Sequence, residues 1–471
     1  MLTFEDHFQL TPSVLKKILG TALSRGAHFA EIYGEYRVFT FINMEEDIIK
    51  ETAASVSLGL GIRAILGDQI GYGYTNNLAL SEILGAARIA AAIASSKTRK
   101  SRGRFNAVRP RKTPYSVREP ASAAELSQKI ELVKRAYSAC QEFDPRIKKT
   151  KVIFHDYVQH IFIVNSEGQL ARDVRPQVRL ICTAVAEKGK RREFGYSGGG
   201  GRVGLEYFRE ILKPENIGKD AAREAVDLLE AIEAPAGEMP VVLAPGHSGV
   251  LVHEAVGHLL EADFIRKKTS IFWNKRGKKV ATELLTIYDD PTIPSLRGSY
   301  AVDDEGVIPR KTLLIDRGRL VSFLQDRLSA RLMKESLNGH GRRQDFTCPP
   351  LPRMSNTYIE KGQDDPEEIR RSVKRGIYAE KFDGGQVEDS GKFTFSISSG
   401  HLIEGGRLTA PIKQATLIGT NVDILRKIVM VGFDLSFGLQ TGTCSKEGQE
   451  VAVADGCPTI KISRMTVGGR P

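Results

Sequence analysis

The sequence has few cysteines, and they do not form a recognisable disulfide or metal-binding motif. The five cysteines are scattered, and no two of them have the CxxC spacing: Cys140, Cys182, Cys348, Cys444 and Cys457. The odd number and the scattered positions exclude a disulfide framework and a zinc ribbon. They favour a reducing compartment.

Long apolar segments are also missing. No apolar run approaches the roughly 18 residues that a membrane-spanning helix needs. Residues 1–10 include Glu5 and Asp6, and they lack the basic start and the apolar core of a secretory signal. We therefore expect a cytoplasmic protein without a membrane partner.

The composition is that of a folded protein. Hydrophobic residues make up 41% and charged residues 27% of the 471 residues, which indicates a globular chain of two or three domains. The net charge of +11 is uneven, because residues 97–112 contain eight Lys or Arg and no acid. Such a run is typical of a solvated connector. Since Phe105 is its one aromatic residue, we expect no nucleic-acid partner.

The first half of the chain predicts the same structural unit twice. Helical patterns over 11–24 and 79–96 enclose a first set of strand patterns. Helical patterns over 121–142 and over 205–232, the latter interrupted at Pro214, enclose a second set. Each unit is a helix, a strand meander and a helix. The segment 233–240 (EAPAGEMP) has the composition of a linker. We therefore predict an N-terminal α/β domain over residues 1–233.

The second half, residues 241–471, is rich in strand patterns. Segments 313–323 and 402–411 each have an apolar run, a turn and another apolar run, which predicts β-hairpins. Segments 325–336 and 365–375 have helical patterns. We predict an α+β fold, whose C-terminal domain is a β-rich, barrel-like antiparallel sheet with inserted helices.

One apolar helical segment carries polar groups that suggest chemistry. Residues 246–263 read GHSGVLVHEAVGHLLEAD and include His253, Glu254 and His258. Buried imidazoles are costly unless they are paired or bound to a metal. In a regular helix, positions i and i+5 lie about 140° apart, so these imidazoles can share one metal only if the helix contains a π-turn. Gly257 eases such a distortion. The residues alone leave open a metal site or two structural histidines.

A catalytic zinc site needs a third protein ligand and an open position for water. Glu261 and Asp263 are the candidates that are near in sequence. The remote candidates are three thiols: Cys348, Cys444 and Cys457. Cys444 lies in the polar, glycine-rich segment 440–449 (QTGTCSKEGQ), which favours a reactive or ligand role over a packing role.

A weaker motif gives an alternative enzyme class. Residues 195–199 (GYSGG) fit the pattern GxSxG, in which Ser197 would be the nucleophile. That motif requires a strand, a tight turn and an immediate helix, whereas Gly200 and Gly201 delay the helix here. A serine hydrolase using Ser197 therefore remains an alternative, as does a non-catalytic binding or scaffold subunit.

Segments along nearly the whole chain resemble one protein family. The stretch HEAVGHLLEADFIRKKTSIF is similar to the TldD/PmbA group of zinc metallopeptidases. Further similar segments follow in the expected order: RREFGYSGGGGR (191–202), GSYAVDDEG (298–306), GHGRRQDF (339–346), PRMSNTY (352–358), GGQVEDSGKF (384–393) and GTCSKEGQ (442–449). Two features depart from the family pattern: Ser445, where glycine is expected, and the basic segment 97–112.

The resemblance implies a catalytic, TldD-type zinc peptidase. It implies Zn²⁺ held by His253, His258 and Cys444, with Glu254 acting on the water. It also implies a dimer, either a homodimer or a heterodimer with a TldE/PmbA-type subunit. Unfolded or extended peptides are the implied substrates.

Substrate binding can be predicted in outline from residue types. An extended peptide can add a strand to an exposed sheet edge, and glycines permit a close approach of two backbones. Arginines either orient a substrate or form structural ion pairs. The candidate substrate-binding residues are Gly198, Gly199, Gly200, Gly385, Gln386, Arg342 and Arg343.

Overall fold

A computed structural model of the chain describes residues 10–93, 105–110, 112–388, 391–438 and 442–468. Most of the basic segment 97–112, for which a charged connector is predicted, lies outside the described residues. No helix in the described part of the chain is long and apolar enough to cross a bilayer.

The first half contains the predicted unit twice, within one seven-stranded sheet. Its helices are α1 (Pro12–Ala22), α2 (Leu80–Ala91), α3 (Leu126–Gln141), α4 (Tyr207–Glu210) and α5 (Pro214–Leu229). Its strands are β1 (Phe29–Glu45), β2 (Ile48–Leu66), β3 (Gln69–Thr75), β4 (Asn106–Ala107), β5 (Ile147–Asn165), β6 (Gln169–Lys188) and β7 (Arg191–Gly201). The strand order is β3-β2-β1-β5-β6, and both β4 and β7 pair with β6. The two meanders therefore meet at the antiparallel pair β1–β5, and the predicted repetition of the unit is confirmed.

The two faces of this sheet have different partners because side chains alternate along each strand. Even-numbered apolar side chains such as Ile42, Phe154 and Leu180 are buried in one core with residues of α3 and α5. Each such burial contributes about 1.5–3 kcal/mol relative to an exposed side chain. Odd-numbered residues, among them Tyr33 and Ile163, instead pack with residues of the C-terminal half.

The second half is built mainly from strands. The strands are β8 (Ile232–Glu233), β9 (Gly237–Leu243), β10 (Ile287–Asp289), β11 (Thr312–Asp316), β12 (Arg319–Leu320), β13 (Gly341–Arg342), β14 (Leu351–Pro352), β15 (Asn356–Ile359), β16 (Arg375–Val387), β17 (Lys392–Glu404), β18 (Arg407–Lys413), β19 (Ala415–Thr420), β20 (Ile428–Val431), β21 (Ser436–Phe437), β22 (Thr443–Lys446), β23 (Gln449–Ala452), β24 (Ala454–Cys457) and β25 (Ile460–Gly468). The helices are α6 (Gly249–Val252), α7 (Ala262–Arg266), α8 (Arg327–Met333), α9 (Pro366–Arg371) and α10 (Asn421–Lys427).

Five strands of the second half close into a barrel. They pair in the order β16-β9-β25-β19-β17, and β17 pairs again with β16. Both predicted hairpins are present, as β11–β12 and β17–β18. The second turns through Gly405 and Gly406, whose φ angles of 57° and 77° suit glycine. The predicted α+β class, with a barrel-like C-terminal sheet and inserted helices, is confirmed.

Buried ion pairs join the two halves. Arg63 of β2 contacts Glu305 at 2.6 Å, and Arg175 of β6 contacts Asp304 at 2.7 Å. Strand β8 directly follows α5 of the first half and pairs with β18 of the second. The division into domains 1–233 and 241–471 stays a prediction.

Candidate metal centre

A short, irregular helical segment places two histidines beside the barrel. It begins at Gly249, directly after the turn that follows β9. A Cβ atom at Gly249 would lie 2.7 Å from the carbonyl carbon of Asp455, so only glycine lets the segment start this close to β24. This close approach brings His253 within reach of the Asp455 side chain.

The helix contains the π-turn that the spacing of the two histidines requires. Residues His253–Gly257 are π-helical, and the backbone N–H of His258 donates to the carbonyl of His253. The two imidazole centroids are 5.1 Å apart. A Cβ atom at Gly257 would lie 1.8 Å from the sulfur of buried Met354, so a larger residue would disturb this turn. Positions i and i+5 therefore share one side of the segment.

The third group comes from a hairpin far along the chain. Cys444 lies in β22, which pairs with β23, and its Sγ is 3.3 Å from Nε2 of His258. One ligand atom each from His253, His258 and Cys444 lies within 4.8 Å of the others. Ligand atoms around a tetrahedral zinc are separated by roughly 3.3–3.8 Å, given Zn–N and Zn–S bonds of about 2.0–2.3 Å. Two imidazoles and a thiolate are a suitable zinc donor set, and small side-chain shifts would complete it.

Two carboxylates fix the orientation of the imidazoles. Nδ1 of His253 is 2.7 Å from Asp455, and Nδ1 of His258 is 3.2 Å from Glu261. Each carboxylate engages Nδ1 and leaves Nε2 for the shared site. This is the carboxylate–histidine arrangement that orients metal-ligating histidines in proteins.

Glu261 is surrounded by cations. It is fully buried, with Nζ of Lys446 at 2.9 Å and Nε of Arg353 at 3.9 Å. Burial alone would raise the pKa of Glu261, but Lys446 and His258 lower it to about 2. Lys446 also contacts Asp263 at 2.7 Å. Glu261 and Asp263, the two carboxylates that were candidate ligands by sequence, thus both contact Lys446. Glu261 also contacts Nδ1 of the His258 ring.

The same contacts set the charge state of the sulfur. Burial raises the pKa of the Cys444 thiol, but His253 and His258 hold it well below its usual value. For His258 burial acts in the opposite direction and lowers the pKa, whereas Glu261 and Cys444 raise it to about 10. The favoured form of the sulfur is the thiolate, which is the form that binds metals.

Glu254 lies at the edge of this group. One of its carboxylate oxygens is 4.0 Å from Nε2 of His258, and its side chain keeps a quarter of its surface exposed. Burial raises the pKa of Glu254, although His253 and His258 act to lower it. A carboxylate with a raised pKa and access to solvent is suited to proton transfer.

Comparisons with known proteins identify the family. Residues 30–94, 119–229 and 236–469 match three segments described as PmbA/TldA metallopeptidase domain 1, central domain and C-terminal domain. The chain is 40% identical to a Haemophilus influenzae protein named "Metalloprotease TldD homolog", with 100% of both chains covered. The chain belongs to the PmbA/TldD family of metallopeptidases.

Other relatives of this PmbA/TldD chain are more distant. A Saccharolobus solfataricus protein named "Zinc metalloprotease TldD homolog" is 27% identical, with 96% of this chain and 99% of the relative covered. A solved Thermotoga maritima structure superposes with a TM-score of 0.79 at 21% identity, over 97% and 99% of the two chains. TldE from Thermococcus kodakarensis superposes with a TM-score of 0.75 at 18% identity, over 97% and 100%. These two structures share the fold.

The predicted substrate residues of this PmbA/TldD chain fall in three places. Gly198, Gly199 and Gly200 lie in β7, where they are buried. Gly385 and Gln386 lie in β16 and pair with β17. Arg342 and Arg343 lie at the junction of the two halves, where Arg342 donates to the backbone carbonyl of Met354, the residue that packs against Gly257. Arg343 pairs there with Glu31 and donates to the backbone carbonyl of Asp304.

Ser197 has a different setting from that of a hydrolase nucleophile. It is buried within β7, where it pairs with Cys182 of β6. A GxSxG nucleophile sits on a sharp turn between a strand and a helix. The serine-hydrolase alternative is therefore not favoured.

Three residues that support the candidate metal centre are not among those predicted from the sequence. Asp455 contacts His253, Lys446 contacts Glu261, and Arg353 donates to the backbone carbonyl of Cys444 at 2.6 Å. Lys446 and Asp455 lie two and eleven residues after Cys444. Lys446 lies in the same strand as Cys444, and Asp455 lies in β24, so the closeness of these two charged residues to the cysteine along the chain is the signal that could have found them.

Proposed function

We propose that this PmbA/TldD family member is a zinc-dependent peptidase that hydrolyses unfolded or extended peptides. The observation that carries the proposal is the convergence of His253, His258 and Cys444, with a carboxylate behind each imidazole. The name of the Saccharolobus solfataricus relative, which includes zinc, supports the choice of metal.

In this proposal each group of residues has a separate role in amide hydrolysis. Zinc, when bound by His253, His258 and Cys444, supplies a Lewis acid that polarises the scissile carbonyl and acidifies water to a pKa of about 7. Glu254 accepts the proton of the attacking water and donates it to the leaving amine. Asp455 and Glu261 hold the imidazoles in the tautomer that presents Nε2 to the site.

Metal analysis of purified protein tests the ligand set. Wild type should contain about one zinc per chain, and His253→Ala and Cys444→Ser should lose most of it, because a three-ligand site does not survive the loss of one ligand. Mass spectrometry of the native protein and elemental analysis measure the zinc directly. Full retention of zinc by Cys444→Ser would contradict Cys444 as the third ligand and would assign that role to Glu261 or another residue.

A second prediction concerns the carboxylate behind His253. Asp455→Asn should weaken zinc binding by about 10–100-fold, because an amide orients the imidazole less well and lowers its basicity. Competition with a zinc chelator measures the change. Asp423→Asn is the matched control, since this carboxylate is exposed and pairs with Lys427 of its own helix. Equal zinc affinity in the Asp455 variant and the control would show that Asp455 does not support zinc binding.

An exposed edge of the barrel supports the proposed mode of substrate binding. Strand β16 pairs with β9 only over Ile377–Ala379, and beyond Ala379 it pairs with β17 alone among the described residues. Gly385 lies in this segment, where a Cβ atom would meet the ring of Phe395 at 2.1 Å. A peptide that adds a strand here would be recognised mainly through its backbone, which suits unfolded substrates.

We further propose that the chain works as a dimer, with a second copy or with a TldE/PmbA-type subunit. The family resemblance implies this assembly, and the whole-chain likeness to TldE shows that TldE-type chains share the fold. A non-catalytic scaffold role is not favoured, because the full-length relatives are named metalloproteases.

A further inference from the structure

A cavity of about 510 Å³ lies between the odd-numbered face of the first sheet and the C-terminal half. Strands β1, β2, β5 and β6 form one wall of it. The hairpin β22–β23 forms part of the other wall through Thr443, Val451 and Ala452. Thr443 is the neighbour of Cys444, so the cavity reaches the strand that carries the proposed zinc ligand.

The lining of this cavity has a large excess of positive charge. Seven arginines line it, against two acidic residues, Asp304 and Glu450. Two of these arginines are neutralised within the fold: Arg175 pairs with Asp304 at 2.7 Å, and Arg343 pairs with Glu31 at 2.5 Å. Four of the others, Arg37, Arg179, Arg202 and Arg342, give the excess over the remaining acid, Glu450.

Two of those four, Arg342 and Arg202, are buried and bind uncharged acceptors. Arg342 donates to the backbone carbonyls of Met354 and Ala452, at 2.5 and 2.8 Å. Arg202 donates to the backbone carbonyl of Arg297 at 3.1 Å. A carbonyl dipole satisfies a hydrogen bond, but it does not cancel a full positive charge.

Two further arginines in the same wall, Arg37 and Arg179, add to the positive potential, whereas His155 beside them does not. Arg37 lies 3.9 Å from Glu35, whose pKa is raised to about 7 by burial, so this acid is only partly charged near neutral pH. In the described part of the chain, the Nε of Arg179 has no hydrogen-bond partner. Burial, Arg179 and Arg297 lower the pKa of His155 to about 3, so this ring stays uncharged.

Several guanidinium groups that share one cavity repel one another, and their burial is costly unless an anion compensates. A guanidinium has a planar arrangement of donors that matches the two oxygens of a carboxylate. We propose that this arginine cavity binds carboxylate groups of the peptide substrate. The inference rests on the proposed peptidase function and adds to it a preference for acidic peptides.

The carboxylate can come from two parts of a peptide. It is either an Asp or Glu side chain or the terminal carboxylate, and both offer the same pair of oxygens to arginine. Thr443 and its partner Ala452 face the cavity, and because side chains alternate along β22, Cys444 faces the other side of the same hairpin. A peptide that occupies both places would pass the edge of this hairpin.

Four peptides of one length separate these sources. One pair carries glutamates near its centre and the other carries glutamines at the same positions, and each is made as a free acid and as a C-terminal amide. The ratios of kcat/KM between them are measured for wild type, Arg37→Gln, Arg179→Gln and the control Arg371→Gln, whose side chain is 71% exposed on α9. Wild type should favour one acidic form by about tenfold or more, because hydrogen bonds to charged groups are strong.

Each cavity variant should lower that ratio by about three- to tenfold, and added salt should lower it in wild type. Arg371→Gln should behave as wild type. Equal kcat/KM for all four peptides in wild type, or an unchanged ratio in both cavity variants, would overturn the proposal. Inhibition by inorganic phosphate without a preference among peptides would indicate a phosphate site and would overturn it as well.

A binding measurement separates this inference from the proposed function. The anisotropy of the labelled peptides is measured with Glu254→Gln protein, which needs no cleavage. Tighter binding of an acidic form, weakened by adding Arg179→Gln, supports the arginine cavity even if no peptide is hydrolysed. Cleavage of all peptides at equal rates, together with equal binding, would leave the peptidase function in place and reject the cavity.

Discussion

Glu254→Gln should keep its zinc and lose peptide hydrolysis, with kcat falling by about 10²–10⁴-fold, the usual contribution of a positioned acid–base group. The glutamine has the same shape, so the π-turn and the ligand groups should remain in place. It has no carboxylate to accept the proton of the attacking water. Zinc content and steady-state cleavage of an unfolded peptide, measured on the same preparation, check both halves of the expectation.

Two controls accompany this variant. Glu283→Gln changes an exposed glutamate, whose side chain keeps 75% of its surface accessible, and should leave kcat unchanged. Ser197→Ala should also stay active, which separates the zinc mechanism from the serine alternative. Wild-type activity in Glu254→Gln would discredit Glu254 as the proton-transfer group. Loss of activity in Ser197→Ala with intact folding would reopen the serine mechanism.

The structural features that could be predicted from the sequence are those determined by residues close together along the chain. The interruption of the helical pattern at Pro214 is the boundary between α4 and α5, because proline suits the first turn of a helix and not its interior. The need for a π-turn followed from the i, i+5 spacing of His253 and His258 alone. These features depend on neighbours along the chain.

Other features depend on contacts between distant segments. Cys444 is 186 residues from His258, and residue types alone left five candidates for the third ligand. Family resemblance selected Cys444, and the structure places its sulfur 3.3 Å from the imidazole. Asp455 could not be found from spacing, because its contact with His253 depends on the parallel pairing of β24 with β15.

The polar face of the first sheet shows the same limit. Alternation along β5 and β6 predicts which residues share a face, and it correctly separates Phe154 from His155. It does not tell whether the polar face meets solvent or another part of the chain. Here that face meets the C-terminal half, so that Arg175, Arg343 and Arg63 become buried. The sequence rule that arginine is mostly exposed therefore fails at this junction.

At the centre of the junction, one arginine bridges acids from both halves. Arg63 contacts Glu31 at 2.7 Å and Glu305 at 2.6 Å, and all three side chains have no exposed surface. Burial would raise the pKa of Glu31, but Arg63 and Arg343 hold it below its usual value. Glu31 thus contributes stability above its unfolded pKa, and this contribution is lost as the pH falls through the lower folded value.

Arg63→Met should lower the free energy of unfolding by about 3–5 kcal/mol, because it leaves Glu31 and Glu305 buried with too little positive charge. Urea unfolding, followed by fluorescence, measures the loss. The deficit should shrink as the pH falls, because without Arg63 burial raises the pKa of these carboxyl groups and they become protonated in the folded variant, while wild type loses the contribution of Glu31 at lower pH. Arg371→Gln, an exposed arginine, is the control. The double variant Arg63→Met/Glu305→Leu should recover part of the loss, because it removes one of the unpaired charges along with its partner. An Arg63→Met protein as stable as wild type would show that the bridge does not hold the halves together.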